Sequence, residues 1–153
     1  MSKPPSIMTA HGTTLSEHPA QVLLGEDDPE LRTLLADMLR RDGHEVTEAK
    51  DGAELLEHVA GTLHDSGELE AVDLIVSDIR MPGWTGMEIL ENLRHVGCWA
   101  PVILITAFGD QDTHEMAGRL GAVAVFDKPF DVDDLRTAVL NALESSPQGP
   151  LPA

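Results

Sequence analysis

Five short apolar runs, at about residues 21–25, 45–48, 72–77, 101–106 and 122–126, alternate with five amphipathic segments at about 29–42, 52–62, 86–96, 110–119 and 131–143. Alternation of strand-length and helix-length patterns predicts five βα units. In the first helical segment Leu31, Leu34, Leu35, Met38 and Leu39 form a stripe at helical spacing, and Gly43 supplies a stop after Arg40-Arg41-Asp42. In the last, Asp131 is an N-cap, with Leu135, Val139, Leu140 and Leu143 as the inner face. The first, third, fourth and fifth runs are continuously apolar, as parallel strands covered on both faces require, whereas 45–48 reads as an edge. The expected fold class is therefore α/β, a doubly wound (βα)5 parallel sheet, in which ligands gather at the carboxyl ends of the strands. Residues 1–20 and 145–153 carry neither period and are expected to be tails around a domain at 21–144.

A chain of 153 residues suits one domain with a sizeable core. Its formal net charge is −17, from 27 Asp and Glu against 10 Lys and Arg. The basic residues are scattered, so the clustered cations that duplex nucleic acid demands are missing. The single cysteine, Cys98, leaves no intrachain disulfide and suits a reducing compartment. Nothing in the sequence reads as a signal peptide or a spanning helix, so a cytoplasmic location away from membranes is expected.

The polar residues that close the apolar runs carry the chemistry. Glu26-Asp27-Asp28 follow the first run, Asp78 ends the third, Thr106 the fourth, and Lys128-Pro129 follow the fifth. Asp28, before Pro29, fits an N-cap. The adjacent carboxylates of Glu26 and Asp27 repel unless a cation stands between them, and with Asp78 on the neighbouring strand they suggest a hard-cation site. Oxygen-only donors favour Mg²⁺. The seven histidines show no metal-ligand spacing and are expected at the surface. Lys128, one of three lysines, is placed to pair with Asp78, and Ala107 beside Thr106 leaves room for a group to approach.

Glu26-Asp27, Asp78 with Met81-Pro82-Gly83-x-x-Gly86, Thr106-Ala107, Lys128-Pro129-Phe130 and Glu48-Ala49-x-Asp51-Gly52-x-Glu54 together resemble the receiver domain of two-component response regulators, over about residues 20–144. The resemblance implies a flavodoxin-like strand order 2-1-3-4-5, as in a chemotaxis receiver. It implies that Asp78 takes a phosphoryl group from a sensor histidine kinase or a phosphotransfer protein. Asp27, Asp78 and the Arg80 carbonyl would ligate Mg²⁺, with Glu26 acting through water, while Lys128 neutralises phosphoryl oxygens and Thr106 engages them. Phosphorylation would then bias a two-state surface built by the fourth helix, fifth strand and fifth helix. The module would be a phosphoacceptor and not an enzyme in the ordinary sense.

Three departures from the family pattern stand out. The position of the usual switch aromatic, three residues before the lysine, holds Val125, with Phe126 one place later. Arg80 and Phe108 occupy the pocket-mouth positions, and residues 61–70 are longer than usual. Trp84 is expected to cover the loop after Asp78. The leading expectation is a stand-alone receiver signalling to a downstream protein. Competing readings are an unphosphorylated interaction module and an aspartate-nucleophile phosphohydrolase. The hydrolase usually wants a second acid where Arg80 stands.

Overall fold

The structure, a computed structural model, describes residues 19–64, 72–81, 86–95, 98–107 and 111–145. Strands β1 (Gln21–Gly25), β2 (Glu45–Ala49), β3 (Leu74–Asp78), β4 (Val102–Thr106) and β5 (Ala122–Asp127) alternate with helices α1 (Pro29–Arg41), α2 (Gly52–His64), α3 (Gly86–His95), α4 (Gln111–Arg119) and α5 (Val132–Ser145). All pairings are parallel, in the order β2-β1-β3-β4-β5. None of the described helices is long and apolar enough to cross a membrane.

Side chains of a strand alternate between faces, so each apolar run feeds two cores. Leu23, Ile75, Val102 and Leu104 pack with Leu55, Leu90 and Leu93 under α2, α3 and α4. Val22, Leu24, Val76, Ile103 and Ile105 pack with Leu35, Leu39, Leu135 and Val139 under α1 and α5. Each fully buried Leu or Ile stabilises the fold by roughly 1.5–3 kcal/mol. The central strands β3 and β4 are buried along their whole length, which is why they read as unbroken apolar runs.

The flanks depart from the simple reading. β5 is the second sheet edge, and its bulge against β4 leaves Val123 exposed, so an apolar run is not covered on both faces there. Leu34 and Leu140, 51% and 43% exposed, fall outside the inner faces of α1 and α5, where Ala36 and Ala142 are buried instead. The apolar stripe spans a wider arc of each helix than the sheet can cover. The caps agree with expectation: Asp28 Oδ1 accepts the Glu30 N–H, Asp131 Oδ1 accepts the Asp133 N–H, and Gly43 takes φ +97° after α1.

The histidines are not all surface groups. His44, in the turn before β2, is half-buried, and its Nε2 is shielded from water without a hydrogen-bond partner. Burial lowers its pKa below the ordinary 6.5, and the Asp42 carboxylate opposes this only in part. Because the folded state resists the proton that the unfolded chain accepts, His44 contributes stability above about pH 6.5 that is lost as the pH falls toward the folded value. Thermal melts of wild type and His44→Gln, compared from pH 8 to pH 5 in chelator, should therefore converge below about pH 6.5. A gap independent of pH would contradict the assignment.

Candidate functional site

The site grows from four neighbouring strand ends. β1 closes on Gly25, where an added Cβ would come within 3.2 Å of the Met81 side chain and of the Ser77 hydroxyl, so a larger residue would oblige these neighbours to give way by a few tenths of an ångström. Glu26 then extends the sheet by one bond, donating its N–H to the Ala49 carbonyl (3.0 Å), before Asp27 and the Asp28 cap turn the chain into α1. β3 ends on Asp78, and the next residue, Ile79, donates its N–H to the Ile105 carbonyl at 2.7 Å. β4 ends on buried Thr106, whose carbonyl accepts the Lys128 N–H at 2.7 Å. The Lys128–Pro129 peptide is cis.

These ends bring Glu26, Asp27, Asp78 and Lys128 together. Lys128 Nζ lies 2.7 Å from Asp78 Oδ2 and 3.5 Å from Glu26 Oε1. Asp78 Oδ1 accepts the Arg80 N–H at 2.9 Å, and Glu26 Oε2 accepts the Asp28 N–H at 3.1 Å. Glu26 is wholly buried and Asp78 is 4% exposed, whereas Asp27 faces solvent. Burial pushes the Glu26 pKa up to about 7; the Asp28 N–H pulls it down, Asp78 adds to the rise and Lys128 opposes it. For Lys128 burial lowers the pKa, but the bond and charge of Asp78 and the charge of Glu26 outweigh it, so the net shift is upward.

The donor set suits a hard dication. Glu26, Asp27 and Asp78 each offer a carboxylate oxygen within 4.8 Å of the others, and no His or Cys belongs to the group. Glu26 Oε1 is buried without a hydrogen-bond partner, its nearest cation being the lysine at 3.5 Å. Three carboxylates against one ammonium leave negative charge that a hexacoordinate, oxygen-seeking ion such as Mg²⁺ can neutralise.

Of the other sequence candidates, Arg80 lies at the rim with its side chain exposed. Val125 belongs to the α2–α3–α4 side of the sheet. Phe126 lies with the α1–α5 core, its ring 6.0 Å from that of Phe130, so the aromatic sits on the sheet face opposite α4. Pro82, Gly83, Trp84, Phe108 and residues 65–70 lie outside the described residues. Sequence reading missed two side chains. His114 on α4 holds Asp127 through Nε2, at 3.1 and 3.2 Å from the two carboxylate oxygens. Arg32 on α1 donates through Nη1 to the Glu26 carbonyl at 2.8 Å. A lone cation on a helix ordinarily reads as solvated, and only its place one turn after the Asp28 cap hinted otherwise.

Known proteins resemble this chain over most of its length. The profile of the family described as "Response regulator receiver domain" matches residues 22–140. Sporulation initiation phosphotransferase F of Bacillus subtilis is 32% identical over 119 residues, covering 78% of this chain and 90% of that protein. Transcriptional regulatory protein PdtaR of Mycobacterium tuberculosis is 36% identical over 122 residues, covering 79% of this chain but 55% of that protein, so the chain spans about half the length of this relative. The receiver domain of Francisella response regulator 1452 superposes with a TM-score of 0.74 at 26% identity, covering 84% of this chain and 99% of that one.

Proposed function

Because the chain belongs to the response regulator receiver family, we propose that Asp78 accepts a phosphoryl group and that the signal passes on through contact with another protein. The observation that carries this reading is the 2.7 Å bond between Lys128 Nζ and Asp78 Oδ2 inside a pocket that also holds Glu26 and Asp27. It presents a carboxylate nucleophile with a cation beside it and carboxylate oxygens of three residues, within 4.8 Å of one another, to hold a second one.

The donor is a phosphohistidine of a sensor kinase or of a phosphotransfer protein. A carboxylate oxygen of Asp78 forms the new P–O bond as the P–N bond breaks, and the departing imidazole takes up a proton. Asp27, Asp78, the Arg80 carbonyl and, through water, Glu26 would hold Mg²⁺, which when bound neutralises phosphoryl oxygens. Lys128 follows the charge from Asp78 Oδ2 to the transferred group. The Thr106 hydroxyl, at the end of the adjacent strand, then accommodates the new acceptor oxygens, and the modification adds roughly −1.5 to −2 charges by analogy with other phosphorylated side chains. Onward transfer to a second histidine is the alternative use of the same chemistry, favoured by the likeness to a protein named as a phosphotransferase.

With Mg²⁺ and a small phosphodonor, the intact protein is expected to gain the mass of one phosphoryl group, and the gain should vanish in chelator. No Mg²⁺-dependent gain would rule out the phosphoacceptor reading. Steady turnover of assorted phosphomonoesters would instead identify a phosphohydrolase.

A further inference from the structure

We propose that Arg32 is a positioning residue for the acidic loop, its guanidinium holding the Glu26 carbonyl and so setting the direction in which Asp27 presents its carboxylate. The inference rests on the reading of this pocket as a Mg²⁺ site. Arg32 lies one turn into α1, its N–H bonded to the Asp28 carbonyl at 2.9 Å. Long side chains on a helix lean toward its N-terminus, which brings the guanidinium back over the end of β1. There Nη1 donates to the Glu26 carbonyl at 2.8 Å, while Nε lies 3.3 Å from Glu48 Oε1 on β2. Glu48 is held in turn by Arg40 Nη1 at 3.0 Å, and Arg40 Nη2 donates to the Val46 carbonyl at 2.9 Å.

Glu26 is otherwise fixed through its N–H on Ala49 and its Oε2 on the Asp28 N–H. Its carbonyl belongs to the peptide that leads into Asp27, and that plane is free to rotate unless something grips the oxygen. Arg32 supplies the grip. Its planar fork bonds the carbonyl and pairs with Glu48 at the same time, so its charge is matched on the edge strand and does not compete with a metal for Glu26, Asp27 or Asp78. Mg²⁺ tolerates little error in ligand placement, so the cost of a rotated peptide appears in its affinity.

Calorimetric Mg²⁺ titration of the full chain tests this, with Asp27→Asn marking the site. Arg32→Ala should weaken binding about tenfold, the lower end for outer-shell partners of a metal site. Arg32→Lys, which keeps one donor, should recover part of the loss. Arg40→Ala breaks only the outer link and should stay within about twofold, as expected of an exposed pair. In metal-free protein, amide exchange at Asp28 should quicken in Arg32→Ala and not in Arg40→Ala. Unchanged affinity in Arg32→Ala, or an equal loss in Arg40→Ala, overturns the positioning role while leaving the pocket intact. Absence of Mg²⁺ binding in wild type, or binding insensitive to Asp27→Asn, overturns the pocket reading and this inference together. Should Arg32→Ala not fold, Arg32→Lys and Arg32→Gln decide: a severalfold loss greater for Gln supports the role, and wild-type affinity in both removes it.

Discussion

Asp78→Asn should abolish phosphoryl acceptance while leaving the chain folded. The amide matches the carboxyl in shape and still offers Oδ1 to the Arg80 N–H, so the turn after β3 keeps its anchor. What disappears is the nucleophile and one of the three carboxyl groups in the pocket. Two changes in stability oppose each other. Lys128 loses a partner at 2.7 Å, but Glu26 stands within 3.5 Å to take it over, and Glu26 is relieved of the like charge that adds to its raised pKa. A net change within about 1 kcal/mol follows, far below the cost of stranding a buried charge. Mg²⁺ should bind about 10³-fold more weakly, because a unit charge some 4 Å away is worth about 4 kcal/mol at intermediate dielectric and each 1.4 kcal/mol is about tenfold. Intact mass after exposure to phosphodonor and Mg²⁺ checks the first claim and a thermal melt the second. Modification that persists in the variant would move the acceptor to another residue.

The strand ends that build this pocket were legible because burial and chemistry coincide there. β3 and β4 run apolar to their last residue, so the appearance of Asp78 and Thr106 at the boundary marks both the end of the core and the start of the site. The helices were less legible. Leu34 continues the stripe of α1 in the sequence, yet the sheet beneath α1 is too narrow to cover it, and no local pattern encodes that width. β5 reads as a central strand from composition, and its edge position is a property of topology. His44 and Arg32 were hard to read for a related reason. The first is buried by the path of a turn, and the second acts on a backbone carbonyl, a group every residue possesses. The relation of Phe126 to α4 follows from strand parity. One residue of displacement puts the ring on the α1–α5 face, leaving Val125 on the side of α4, where His114 bonds Asp127 instead.

Lys128→Met should separate two roles that share one atom. Methionine keeps the apolar stem and removes the ammonium, so packing beside Pro129 is retained while the pocket loses its cation. Metal-free protein should be destabilised by about 1–2 kcal/mol, less than for a fully buried pair because a quarter of the lysine side chain reaches solvent. Mg²⁺ should then bind more tightly, by roughly 3- to 10-fold, since the competing positive charge beside Asp78 and Glu26 is gone. Phosphoryl acceptance at saturating Mg²⁺ should nevertheless slow about 10²- to 10³-fold, the usual cost of removing one group aimed at charge that develops during transfer. Opposite signs for metal affinity and acceptance rate are the signature of a cation that belongs to the transferring group and not to the metal. A variant in which both fall together, in proportion to its loss of stability, would reduce Lys128 to a structural counter-ion of Asp78.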